Sequence, residues 1–521
     1  MSNKANQIVG EYARLDAART PILRDFQDIA RYVLPSHAYF TDEKVVDGNS
    51  EKQLDVFDST AMRSNEVLAN FLHSAVTPDY LWALLRLRDK DLDKAKATRE
   101  YFETQQVKIF EALRESNFVT SIAQLYLDLG AFNTAAIHVE DDSTDAAFGR
   151  LKFTNIHLKK LVFKEGTNGR ADYVMVKELI SAVNAVDLYP DAVMPKVQAA
   201  AESDNDRHKD FEFIISCEPE RLNGRTTGYY ETTIVSVEDK TVAHTRIDAK
   251  IPYMVPRWQQ AAGQVWGTGP GMRSLPDCRV INRAKELELS GWEQDINEGY
   301  KTTPDNLVDD ELFRTGVTIV KDVDKLRALR EGQISWQVAQ IKGEEIQNSI
   351  RSMFYEDRLV MQSSGGDTAT EFKIRYDLLQ RQLAPTAGRL TVELLNPLIE
   401  RVFTLMLQGG ALDELPPELA NQELDIEYVS PLSKSQGMPQ LESYERWLGL
   451  IMNTAQMYPE VRHLPDIEAG LRNAADVLDV PSANVKSEKD YAAALQAEQE
   501  AMQQQQQAMQ QQEQQANGPT Q

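Results

Sequence analysis

The chain has 521 residues, 42% of them hydrophobic, and carries 80 Asp and Glu against 56 Lys and Arg, for a net charge of −24. That balance excludes a protein that grips nucleic acid through a general basic surface, but it suits one that lets a polyanion slide past without sticking. Two widely separated cysteines, Cys217 and Cys278, exclude a disulfide framework and fit a reducing compartment, and no apolar run is long enough for a signal peptide or a membrane span.

Residues 10–34 read as an amphipathic helix, with Leu15, Ile22, Phe26, Ile29 and Val33 at helical spacing and Pro35 as its stop. Helical patterns return at 58–76, 92–115 and 118–130, the second behind Asp89, Asp91 and Asp93, which suit a helix N-terminus. The pattern then changes to strands at 135–142, 151–158 and 171–179, with Lys164 to Gly169 as a hairpin turn. Short helices are expected at 180–202. Further strands follow at 210–218, 229–239 and 241–249, with Asp239 and Lys240 at a second hairpin tip. A loop rich in Pro and Gly leads to a helix from Pro276 to about Tyr300. Residues 301–335 hold short strand-like pieces such as 316–323, and helix resumes from Ser335 to Val360.

Residues 368–412 form the most unusual segment. Apolar positions Leu378, Leu379, Leu383, Leu390, Leu395, Ile399, Val402 and Met406 describe one helix between Thr370 and the Gly409–Gly410 pair. At ~1.5 Å per residue, roughly 39 residues span nearly 60 Å, more than the diameter of a small domain. Arg375, Arg381, Arg389, Glu393, Glu400 and Arg401 make the rod too polar for a membrane. Pro385 removes a helical hydrogen bond and is expected to kink it, and Pro397 to do the same further on. Beyond about residue 438 the chain is helical again. Ser487 to Asp490 fits a capping box, and the Gln-rich tail behind it reads as helix or as disorder.

Sites for chemistry are scarce. Gly267-Thr268-Gly269-Pro270-Gly271 lacks both the Lys-Ser/Thr of a P-loop and the GxGxxG spacing, so it reads as a tight turn. The seven histidines show no metal-ligand pairing. Asp305, Asp309, Asp310 and Glu311 lack the central glycine of a calcium loop and read as a solvated face. Ser363 and Ser364 near Asp367 lie in no nucleophile elbow, and Trp258 and Trp266 read as packing anchors. No catalytic, metal or cofactor residue is assigned.

Five stretches, VPRW (255–258), VWGTGPGMRSLPDCRVIN (265–282), TATEFKIRYDLLQRQLAPTAGRLTVELLNPLIERVFTLML (368–407), YVSPLSKSQ (428–436) and FKEGTNGRADYVMVKEL (163–179), occur in an order that resembles the head-to-tail connecting (portal) proteins of T7-like short-tailed bacteriophages. The resemblance implies an α+β, helix-rich, portal-type fold. Its parts would be a mixed α/β wing (1–270), a stem of two helices (271–300 and 336–360), a clip between them (301–335) and a tunnel loop (361–369). A long kinked helix with the rest of the wing (370–437) and a C-terminal helical crown or barrel (438–521) would complete it. It implies a ring, typically a dodecamer, at one capsid vertex of a virion assembled in a bacterial cytoplasm. Double-stranded DNA would pass through without sequence specificity or any cofactor or membrane. A terminase packaging motor, a tail adaptor, and major capsid and scaffolding proteins would be the partners. Gln362, Ser363, Ser364, Gly365, Gly366 and Asp367 become the candidate DNA-facing loop, although this loop has no lysine or arginine. A non-portal virion scaffold or coiled-coil protein, and a nucleotide-dependent enzyme, are the rival readings.

Overall fold

The computed structural model describes residues 2–35, 40, 56–89, 92, 96–143, 148–222, 225–296, 300–301, 321–322, 327–328, 336–359, 381–414, 416, 424–428, 431–455, 458, 460–461, 464–477, 480, 484, 491, 493–494 and 496–497. The chain divides into two compact units, one of Met1–His73, Asn117–Glu140 and Leu151–Thr404, the other of Ser74–Ser116, Asp141–Arg150 and Leu405–Gln521.

In chain order, helices α1 (Ser2–Tyr32) and α2 (Thr60–Val76) precede strand β1 (Ala83–Leu87). Helices α3 (Lys96–Glu115) and α4 (Phe118–Phe132) follow, then strands β2 (Ile137–Asp141), β3 (Leu151–Asn155), β4 (Leu161–Lys164) and β5 (Tyr173–Ser181). Short helices α5 (Ala182–Leu188) and α6 (Pro195–Glu202) lead to β6 (Asp210–Leu222), β7 (Arg225–Ser236), β8 (Thr241–Asp248) and β9 (Tyr253–Met254). Next come α7 (Pro270–Ile296), β10 (Tyr300–Lys301), β11 (Arg327–Ala328), α8 (Trp336–Met353) and α9 (Glu356–Leu359). Helix α10 (Asn396–Gln408), β12 (Leu424–Tyr428), α11 (Pro431–Thr454) and α12 (Ile467–Val477) complete the series.

The first unit is built on an antiparallel sheet ordered β4-β5-β6-β7-β8. Alternation along β6 decides its two faces, because successive side chains point to opposite sides. Ile214, with Val162, Met175 and Val235, packs under Ala5, Ile8 and Tyr12 of α1. Phe211 and Phe213 point the other way, onto Ala182, Ala185 and Val197 of α5 and α6. Lys240, at φ 53°, turns the β7–β8 hairpin where Asp239 and Lys240 were expected to do so. β6 and β7 each outrun the expected strand, at the end of one and the start of the other.

Helix α4 is apolar nearly all round, with Phe118, Ile122, Leu125, Tyr126, Leu129 and Phe132 buried, as befits a central core helix. It ends at Asn133, whose left-handed φ of 60° turns its carbonyl to accept the Trp258 amide at 2.9 Å. A second sheet, β3-β2-β9, runs on from that point. Helices α7 and α8 pack together, with Ile281 and Ile350 buried and Ser349 donating to Asp277 at 2.8 Å.

Three helix starts differ markedly from expectation, the first being α1, which begins at Ser2 rather than at residue 10. α7 begins at Pro270, six residues before Pro276, which lies inside it. Pro270 takes the first helical position, where a missing N–H costs nothing, so the segment read as loop already belongs to the helix. α11 likewise begins at Pro431 rather than near 438.

Within the rod, residues 381–390 are helical, exposed Pro385 included. Helix registration changes afterwards, in a π turn at Thr391–Leu395 where the Asn396 amide bonds the Thr391 carbonyl. That wide turn lies where the Pro397 ring would otherwise meet the Glu393 carbonyl.

In the second unit β1 and β12 pair antiparallel, Ala83 opposite Tyr428 and Leu87 opposite Leu424. Buried Trp82 stacks on Tyr428 at 6.2 Å and meets Phe110 of α3 edge-on at 5.5 Å. Asp413 is held on α3 by Gln105 and Lys108, each 2.8 Å from its carboxylate.

Candidate functional site: a buried charge cluster joining the sequence signatures

The six residues Gln362 to Asp367 lie outside the described residues, as does the acidic group at 305–311. Of the 301–335 span, the described structure includes one antiparallel pair, Tyr300–Lys301 with Arg327–Ala328. The structure instead assembles the separated sequence signatures around a residue not singled out from sequence, Arg257.

Arg257 follows β9 in the VPRW stretch, and its side chain is wholly buried. Glu393, from the π turn, grips it as a bidentate partner: Nη2 lies 2.6 Å from Oε1 and Nε 3.2 Å from Oε2. The Arg257 backbone amide also donates to Glu393 Oε2 at 2.9 Å. Nη1 donates to the Val265 carbonyl at 3.0 Å and to Glu165, and Nη2 to the Gly169 carbonyl at 2.8 Å. All five guanidinium N–H groups are therefore used. Arg389, one turn before Glu393, adds a second cation at 2.8 Å, so two arginines face two glutamates. Burial works against the Arg257 charge, yet the bonds to Glu393 and Glu165 outweigh it and hold its pKa above the ordinary arginine value.

This arrangement joins the 163–170 hairpin, the 255–258 stretch, the 265–271 loop and the rod. Glycines make the approach possible. A Cβ on Gly267 would lie 2.0 Å from the Asn133 carbonyl oxygen, one on Gly269 2.4 Å from Asn133 Oδ1, and one on Gly271 1.8 Å from the Ala131 carbonyl oxygen. The glycines of the GTGPG run thus let two stretches of backbone touch, which is their role in place of phosphate binding. Trp258 is fully buried, and Trp266 meets Phe26 and Phe163 edge-on at 5.5 and 4.8 Å, so both are packing anchors as expected. An arginine set between Pro and Trp in an apolar run was the available signal for Arg257. Nothing local marks Glu393 or Glu165 as its partners.

A second brace lies nearby in the same unit. Arg401 of α10, nearly fully buried, pairs with Asp248 at 2.9 Å and donates to the Lys250 carbonyl. Burial lowers its pKa more than Asp248 restores it. On β2, His138 stacks on Tyr253 at 4.5 Å, and burial pushes its pKa from 6.5 down to about 4 despite Glu140 at 3.9 Å. The folded-state value is depressed, so the neutral ring contributes stability that is complete above about pH 6.5 and is lost as pH falls toward 4. The loss over that window is on the order of 3 kcal/mol. A His138→Gln variant is expected to flatten the acid limb of midpoint against pH; an unchanged limb would contradict this assignment.

Among the described residues no group of three or more His, Cys, Asp or Glu is placed to hold a metal ion, and both cysteines are buried with thiol pKa values pushed up to about 12. No described helix is long and apolar enough to cross a membrane.

The Arg257 cluster is thus a joint that ties four separated sequence signatures together. The match to the family described as "Bacteriophage head to tail connecting protein" spans residues 5–485. The chain belongs to that family, a structural component of the phage virion at the junction of head and tail. It is 23% identical over 505 residues to the "Probable portal protein" of Bordetella phage BPP-1, covering 91% of this chain and 87% of that one. It is 22% identical over 494 residues to the "Portal protein" of Salmonella phage epsilon15, covering 89% and 86%. A chain from a structure described as "Virion of native gene transfer agent (GTA) particle" overlaps 75% of this chain and 88% of its own at 11% identity, with a TM-score of 0.33, too low to inform the fold.

Proposed function

We propose that this protein forms a closed ring, a dodecamer by family resemblance, at one capsid vertex and serves as the conduit for double-stranded DNA during packaging and ejection. The observation that carries the reading is similarity to two portal proteins along about nine-tenths of the chain. In this reading α7 and α8 are the stem, 301–335 the clip that docks the terminase motor and then the tail adaptor, and the region beyond 438 the crown. The major capsid and scaffolding proteins surround the ring. Gln362, Ser363, Ser364, Gly365, Gly366 and Asp367 face DNA as a small, near-neutral loop, and Pro385 bends the rod between that loop and the wing.

Two features support it. Val280 and Leu287, seven residues apart on α7, are more than half exposed, as is Ile341 on α8, and such a stripe on a helix suits contact with a neighbouring copy. A net charge of −24 per subunit, repeated around a ring, keeps a polyanion mobile. The conduit has no catalysis of its own. Negative-stain images of the purified full chain are expected to show closed rings with a central hole. Open filaments, or monomers at micromolar concentration, would overturn the proposal.

A further inference from the structure

The β6–β7 hairpin outruns the sheet it belongs to. The last partner of β6 on β5 is Cys217, opposite Val174, and the last partner of β7 on β8 is Tyr230, opposite Asp248. Beyond them, among the described residues, the two strands continue as an arm paired only with itself, Arg221 opposite Thr226 and Leu222 opposite Arg225. Helix α1 crosses the sheet short of this arm, from Lys4, paired with Glu231, to Glu11, paired with Lys164, each at 2.7 Å. The arm is braced from within and from its base. The Thr227 hydroxyl donates to the Glu220 carboxylate at 2.6 Å, and Arg221 Nη2 donates to the Tyr173 hydroxyl at 2.7 Å. Leu222 and Tyr229 are nonetheless half exposed or more. Residues 221–229 carry Arg221 and Arg225 and no acid.

The opposite end of the sheet carries the reverse charge. The corner from the end of α5 to α6, residues 187–193, holds Asp187 and Asp191 and no base, and its Leu188 and Val193 are more than half exposed. Tyr189 in this corner packs on Phe213 at 6.0 Å, and from Phe213 to Leu222 β6 runs nine residues, about 30 Å of extended strand. An arm therefore does not reach the corner of its own chain.

We propose that the arm of one copy docks on the α5–α6 corner of the next, Leu222 and Tyr229 against Leu188 and Val193, with Arg221 toward Asp187 and Asp191. The inference rests on the ring proposed above and names one of its joints. Two observations favour a second copy as the occupant. The two surfaces are opposite in charge, so arm-to-arm and corner-to-corner pairing would set like charges together, which opposes a two-fold dimer. They also lie toward opposite ends of one sheet, and a head-to-tail contact between unlike patches is the kind that closes into a ring.

Leu222→Cys and Val193→Cys in the full-length protein test the joint with a bismaleimide too short to span the two positions within one chain, since native Cys217 and Cys278 are buried. The two single variants, co-expressed, are expected to give cross-linked dimers and nothing larger. The double variant is expected to give a ladder of multiples, and each single variant alone no product. Arg221→Asp, added to the Leu222→Cys chain, is expected to lower the dimer yield about fivefold, and Asp191→Arg in the Val193→Cys chain to recover most of it. Negative-stain rings without mixed dimers would overturn this joint and leave the ring standing, whereas monomers without mixed dimers would overturn both. Cross-linking of a single variant to itself, or a yield indifferent to both charge changes, would also overturn the joint.

Discussion

Replacing Arg257 with methionine is expected to cost about 3–5 kcal/mol, the penalty for leaving a buried ion pair half unmade. Methionine approximates the arginine stem, so little of the loss comes from packing. It comes from Glu393, which keeps its burial and one cation, Arg389, but loses the bidentate partner that lies 2.6 Å away. Two backbone carbonyls, those of Val265 and Gly169, lose their donor as well. Denaturation followed by tryptophan fluorescence measures the effect, because Trp258 is the adjacent residue. The charge argument makes a further demand. Arg257→Met combined with Glu393→Gln is expected to be less destabilised than the two single changes summed, by more than about 1 kcal/mol, as coupled sites are. A loss below about 1 kcal/mol for the single change, or strict additivity in the pair, would show the cluster to be incidental. Arg257→Lys is expected to fail nearly as badly, since an ammonium cannot reproduce five donors in a planar fork.

The second large effect is expected at Gly271. A Cβ there would lie 1.8 Å from the Ala131 carbonyl oxygen and 2.7 Å from its carbon, and neither is the end of a flexible side chain. Gly271→Ala must push the start of α7 away from the end of α4. We expect a loss at or above the top of the range for overpacking, about 3 kcal/mol, seen as a lowered midpoint or as insoluble protein. Gly388→Ala is the control. It lies in a helical stretch with open space around the would-be Cβ, and there alanine is expected to be neutral or stabilising. If both variants behave alike, close backbone contact is not what requires glycine at 271.

These two expectations mark where sequence reading was strong and where it stopped. The order of elements was legible because period is a local property. β6 alternates and α4 is apolar nearly all round, and each shows its type in a window of a few residues. The family resemblance was legible for a related reason, since its signatures are contiguous stretches. The start of α7 was misread because Gly267, Gly269, Pro270 and Gly271 punctuate a loop when taken alone. The three glycines answer to Ala131 and Asn133, more than 130 positions away, and no local rule reports that approach.

The candidate site shows the same division. Sequence singled out Gln362 to Asp367 for small, flexible composition and Pro385 for its missing N–H, which are properties of single residues. It could not pair Arg257 with Glu393, 136 positions apart, or with Glu165. Either glutamate alone reads as a surface charge, the usual state of its kind.

By itself, then, the sequence determined the acidic balance, the run of helices and strands and the family, all of which are written in composition, period and contiguous motif. Only the tertiary structure decided that four of those motifs share one buried ion cluster and that the glycine run is a packing seam. The physical reason is that burial and ion pairing depend on distance in space. A charge becomes structural only when the fold removes its water and supplies its partner.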